Sequence, residues 1–123
     1  MDIANEKIFL MIITKDDIYN ITKENTKINY EKLTLILKDF LNSNNLKLED
    51  IQKIYVNRGP GSFAGIRNSL SIVKAINVAR NVDYYCYSLE DFKDQKDVKY
   101  EDIPNLCDKF KIKKNLIKPI YLS

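Results

Sequence analysis

The sequence predicts an α/β domain on three observations: a β-branched apolar run at Ile8-Phe9-Leu10-Met11-Ile12-Ile13, a strand–loop–helix unit from Ile54 to Arg80, and a further strand at Val82–Ser88. At 123 residues the chain fits one core. Its 45% hydrophobic and 30% charged composition, with three Gly and three Pro, excludes collagen-like, low-complexity and disordered classes.

Lys7–Thr14 is too short and too rich in β-branched residues for a buried helix, so it reads as a buried strand. Lys15-Asp16-Asp17 supplies a polar turn, and the alternation from Ile18 to Lys23 supplies the second strand of a hairpin. Leu33, Ile36, Leu37, Phe40 and Leu41 then recur at helical spacing, which predicts an amphipathic helix over Tyr30–Asn42 with Asn29 as its cap. The Asn42-Ser43-Asn44-Asn45 cluster ends it. Leu48–Ile51 leads into an interior strand at Ile54-Tyr55-Val56.

From Phe63 to about Arg80 a second helix is expected, capped by Ser62. It mixes Ala64, Gly65, Ser69, Ser71, Ala75 and Ala79 with Ile66, Leu70, Ile72, Val73, Ile76 and Val78, so it is apolar on more than one side and calls for two covers. Beyond the Val82–Ser88 strand, charges dominate Glu90–Lys114 and Pro104 interrupts, which predicts loop or weak helix. Ile117–Leu122 reads as a short extended segment.

Net charge is +3 from 20 basic and 17 acidic residues, mostly interspersed, so basicity alone does not argue for nucleic acid. There is no His, which removes the commonest general base and the usual zinc ligand, and Cys86 and Cys107 lack metal-site or redox spacing, so no metal is expected. Two free thiols, a polar start and no apolar run long enough to cross a bilayer predict a cytoplasmic protein without a membrane segment. The acids near the first strand find no matching acid at Ile54–Val56, which argues against a two-metal nuclease. Tyr84, Tyr85 and Tyr87 alternate faces and form no single stacking platform.

The most informative feature is Arg58-Gly59-Pro60-Gly61-Ser62, between a strand and a helix. Glycines permit positive φ, and free N–H groups at a helix start suit an anion, so the loop is either an anion site or a tight structural turn. It is neither a Walker loop nor a dinucleotide fingerprint. Arg67, one turn on, is placed to reach an anion or to pair with an acid. Ser62 has no His to activate it and reads as a cap rather than a nucleophile.

Asn57-Arg58-Gly59-Pro60-Gly61-Ser62-Phe63-Ala64-Gly65-Ile66-Arg67 resembles the Gly-Arg-Gly-Pro-Gly-Ser-Phe-Thr-Gly-Leu-Arg signature of the TsaB (YeaZ) family, the dimerisation subunit of the bacterial machinery that makes threonylcarbamoyladenosine on tRNA. Roughly residues 2–92 share the likeness, and Ile117–Leu122 resembles the Pro-Val-Tyr-Leu-Arg end of the family. The resemblance implies an RNase-H-like, actin-like half domain with a mixed sheet and two main helices. It implies no catalysis and no cofactor, and pairing with the catalytic paralogue TsaD through the helices. Here the interface candidates are Leu33, Leu37, Phe63, Ile66, Arg67, Leu70, Ser71 and Lys74. A TsaE-type ATPase and a homodimer are further partners to consider, and tRNA is reached only through the complex.

Three departures stand out. Ala64 replaces the family's Thr and Asn57 its Gly. The second domain is largely absent, which divides the chain into a TsaB-like domain at 1–92 and a charged connector with an extended end at 93–123. Asp2-Ile3-Ala4-Asn5-Glu6 resembles the stretch that follows the family's first strand, while that strand itself is missing; the expectation is a start upstream of Met1, or a replacement by Ile117–Leu122. The rival readings are a stand-alone nucleotide- or anion-binding domain and a decayed fragment without function.

Overall fold

The computed structural model describes residues 1–5, 7–93 and 95–121, with Tyr30 through its backbone alone. Strand β1 (Lys7–Ile13) pairs antiparallel with β2 (Ile18–Glu24), from Lys7 opposite Glu24 to Ile13 opposite Ile18. Thr14 N–H bonds Asp17 O at 2.9 Å and closes the turn. Strand β3 (Lys53–Asn57) pairs parallel with β4 (Asp83–Tyr87), with Val56 opposite Cys86. The crossover between them is α3 (Phe63–Arg80), the connection that a parallel pair requires.

Helix α3 takes the predicted bounds. Ser62 is its N-cap and accepts from Gly65 N–H at 3.2 Å, while Asn81 ends it in the left-handed region at φ 57°. Its inner face, including Ile66, Leu70 and Val73, packs with Val56, Tyr84 and Cys86. The other predicted helix is broken. A turn, α1 (Lys27–Glu31), precedes α2 (Leu33–Ser43), and Asn29 lies inside α1 rather than at a cap. Thr26 Oγ1 accepts from Asn29 N–H at 3.1 Å, and the Asn29 amide bonds Glu24 O at 2.7 Å, so the start is fixed three residues earlier by Thr26. Leu33, Leu37, Phe40 and Leu41 bury against Ile3, Ile8 and Leu10.

Glu90–Lys114 is more ordered than its charge suggests. Turns of 3-10 helix at Leu89–Asp91 and Tyr100–Asp102 lead into α4 (Ile103–Lys109). Pro104 sits in the first turn of α4, where its missing N–H has no partner to lose. Ile103 and Cys107 join Tyr87 and Phe92 in a third apolar cluster.

The expected gap at the start of the chain is partly filled by Met1–Ala4. Asp2 exchanges both backbone bonds with Phe9 at 2.9 Å, antiparallel to β1. On its other side the Met1 amine donates to Tyr55 O at 2.8 Å and Met1 O accepts from Asn57 N–H at 3.0 Å, the pattern of a strand parallel to β3. These residues join the two ladders. Ile117–Tyr121 does not take that place: it lies against the glycine loop, and Leu122 falls outside the described residues.

Candidate functional site: the glycine loop and the outer face of α3

The glycine loop is filled by its own chain. Gly59 holds φ +116°, and a Cβ there would run into the carbonyl of Ile120. A Cβ on Gly61 would meet the Ala4 backbone, and one on Gly65 would meet Ile3 O. Gly61 is glycine because of this close approach; its φ is not in the positive range. Ser62 N–H bonds Ala4 O at 3.1 Å, Gly59 N–H bonds Asn57 Oδ1 at 2.9 Å, and Ile120 N–H bonds Arg58 O at 2.7 Å. The Gly59–Pro60 peptide bond is cis. Of the two readings of the loop, this geometry supports the structural turn, a knot where residues 2–4, β3, α3 and the extended end meet.

Arg58 locks the knot. Its Nη2 and Nε reach the two carboxylate oxygens of Asp91 at 2.7 and 3.2 Å, and Nη1 donates to Lys118 O at 3.1 Å. Arg67 does not make the acid pair expected as one of its two roles. Its guanidinium lies 5.8 Å over the Phe63 ring, and among the described residues it forms no ion pair.

The interface candidates divide by burial. Leu33, Leu37, Ile66 and Leu70 are buried in the chain's own core. Phe63, Arg67, Ser71 and Lys74 are exposed, and with Ala75 and Val78 they make the outer face of α3. Val78 is 74% exposed and Phe63 52%. Ile117 and Tyr121 lie beside this face and complete a shallow groove of about 630 Å³. Tyr121 meets Phe63 with ring centroids 4.8 Å apart. The sequence pointed to α3 through its excess of small and apolar residues; nothing in it placed Ile117 and Tyr121 there.

Two further polar contacts escaped sequence reasoning. The buried Asp2 carboxylate accepts from Tyr100 Oη at 2.7 Å and from Ala4 N–H at 3.1 Å, while Tyr100 stacks on Phe9 at 4.1 Å. Burial and then the Asp2 carboxylate push the Tyr100 phenol up. Burial also pushes the thiols of Cys86 and Cys107 up to about 11 and about 12, so neither is a nucleophile. Among the described residues no group of His, Cys, Asp and Glu is arranged to hold a metal, and no helix is long and apolar enough to cross a membrane.

The described elements form a parallel β–α–β unit joined to a hairpin, an α/β half with its glycine loop closed on itself. Solved structures share this arrangement. YeaZ from Pseudomonas aeruginosa superposes with a TM-score of 0.65 at 20% identity, covering 71% of this chain and 41% of that one. A second Pseudomonas aeruginosa structure, of a protein with similarity to peptidase YEAZ, gives 0.66 at 20% identity, covering 71% of this chain and 40% of that one. In sequence, the TsaB protein of tRNA threonylcarbamoyladenosine biosynthesis from Buchnera aphidicola subsp. Baizongia pistaciae (strain Bp) is 29% identical over 75 residues, which are 61% of this chain and 34% of that protein. The family model "TsaD: tRNA N6-adenosine threonylcarbamoyltransferase" matches residues 24–88, over half of the chain. The chain belongs to this family, and the curated relative and the solved structures it is similar to are a TsaB protein and YeaZ-like proteins. It spans about a third of the curated relative and about two fifths of the two solved structures.

Proposed function

We propose that the chain is a non-catalytic, TsaB-type subunit that pairs with a TsaD-type catalytic paralogue and so supports threonylcarbamoyl transfer to adenosine in tRNA. The observation that carries this reading is the outer face of α3. Small and apolar residues line it, Arg67 and Lys74 flank it, and α3 contains no acid. The glycine loop, closed by Ala4 and Ile120, supports a scaffold role over a stand-alone nucleotide site.

On this account tRNA is met only through the complex, in the cytoplasm, with a TsaE-type ATPase and a second copy of the chain as further partners. The test is the threonylcarbamoyladenosine content of tRNA, measured by mass spectrometry of nucleosides in cells depleted of the chain. The content falls on depletion and returns with the wild-type chain but not with Ser71→Glu. Unchanged content on depletion removes the chain from the reaction.

A further inference from the structure

Among the described residues β2 pairs on one side only, with β1. Thr14 N–H bonds Asp17 O, and with the β1–β2 register this makes Tyr19, Ile21 and Lys23 the residues of β2 that bond β1. The far side of β1 agrees, since Phe9 exchanges its backbone bonds with Asp2. Ile18, Asn20, Thr22 and Glu24 therefore turn their N–H and C=O groups away from β1. Glu24 O is taken by the Asn29 amide at 2.7 Å. Among the described residues nothing bonds the backbone groups of Ile18, Asn20 and Thr22, and all three residues are exposed. Such an edge is a template for another strand unless proline, a bulge or a covering element blunts it. β2 runs seven residues in unbroken register without proline.

The sequence of β2 is complementary to this edge. Antiparallel pairing of two β2 strands about a twofold axis at Asn20 sets Ile18 opposite Thr22 of the second copy and Asn20 opposite its own counterpart. The three residues with open backbone groups then satisfy one another, and Glu24 is left out. At the closer positions between them, Asp17 faces Lys23 at both ends and Tyr19 faces Ile21. Asp17 and Lys23 are exposed and form no ion pair among the described residues. Tyr19 and Ile21 are half-buried against the cluster of Ile8, Leu10 and Leu37, so the pairing carries that apolar layer from one copy into the next. Moving the axis to Ile21 would require the occupied Glu24 carbonyl and set Lys23 opposite Tyr19.

We propose that the β2 edge is a self-association surface: a second copy of this chain adds its own β2 antiparallel, with the twofold axis at Asn20, and joins the two sheets into one. The surface uses no residue of α3, so a second copy at β2 and a TsaD-type partner at α3 are independent of each other.

The experiment is sedimentation equilibrium of the full chain, with hydrogen exchange, for the wild type, Asn20→Pro, Lys23→Asp and the double variant Asp17→Lys with Lys23→Asp. A reversible monomer–dimer equilibrium is expected, weak because a seven-residue edge is a small interface, with the Ile18, Asn20 and Thr22 amides protected only where the dimer forms. Asn20→Pro removes an edge N–H that β1 does not use, so it should melt close to the wild type and stay monomeric. Lys23→Asp sets carboxylates opposite each other at both ends and should weaken the dimer about tenfold, and the double variant should recover it. A wild type that is monomeric up to about 1 mM, a dimer that folded Asn20→Pro leaves intact, equal dimerisation of Lys23→Asp, or a double variant that recovers nothing each overturns the proposal. If Asn20→Pro does not fold, the charge variants decide alone. A dimer lost with Ser71→Glu and indifferent to the β2 variants also overturns it, because the second copy then sits on α3.

Discussion

Arg58 and Asp91, 33 positions apart, form a two-pronged ion pair with side chains only 12% and 22% exposed. The same Asp91 caps its own 3-10 turn by accepting from Ser88 N–H at 2.8 Å. The pair thus ties the glycine loop to the turn after β4. Replacing Arg58 with Ala leaves a half-enclosed carboxylate and frees Lys118 O, at a cost of about 2–4 kcal/mol. Arg58→Lys keeps the charge but loses the fork, and should recover less than half of that loss. Urea unfolding of the three proteins checks the order.

Gly59 and Gly61 are intolerant for different reasons. Gly59→Ala meets both a positive φ and the Ile120 carbonyl, and should cost at least about 2 kcal/mol. Gly61→Val pushes on the Ala4 backbone and should cost a similar amount, about 1–3 kcal/mol, by prising residues 2–4 from the loop. Thermal melts of each measure it. A neutral Gly61→Val would mean that Ala4 does not pack there.

Cys86 and Cys107 should be silent toward thiol reagents in the native protein at neutral pH. Their thiols sit at about 11 and about 12 because they are buried, so almost no thiolate forms. Both should react with iodoacetamide within minutes once guanidinium unfolds the chain. Native labelling of either would contradict the packing.

The Met1–Ser123 chain should gain stability from pH 6 to pH 8. The Met1 amine is lowered from 8.0 to about 6 by burial. Between these values the unfolded chain binds a proton that the folded chain gives up, so unfolding becomes harder as pH rises. The contribution is full above pH 8 and lost below pH 6, on the order of 2–3 kcal/mol. With no His in the sequence, few other side chains titrate there. Urea midpoints across this window give the slope; a flat or falling profile would contradict burial of the amine.

Local chemistry made much of this fold legible. The β-branched run before Lys15-Asp16-Asp17 gave the hairpin, and Ser62 beside Gly61 fixed the start of α3. Less was legible where a distant contact decides. The early start at Lys27 follows from Thr26 and Glu24 holding Asn29, and neither bond has a periodic signature. The spacing of Ile103, Leu106, Cys107 and Phe110 did carry a helical signal, which the charges around it and Pro104 masked. In the site, the glycine motif located the loop, but Asp91, Ile120 and Tyr121 reach it only through the tertiary fold. That Leu33, Leu37, Ile66 and Leu70 face inward was likewise set by which side of each helix meets the sheet.

The most direct test of the central claim is size-exclusion chromatography of this chain co-expressed with the TsaD-type protein of the same organism, as wild type and with Ser71→Glu or Val78→Glu. Both positions are exposed, so the variants should melt within about 1 kcal/mol of wild type. The account predicts one co-eluting complex for the wild type, weakened by at least tenfold in each variant, the expected cost of a charge in an apolar contact. Separate elution of the wild-type proteins, or a complex that both charges leave intact, would contradict it.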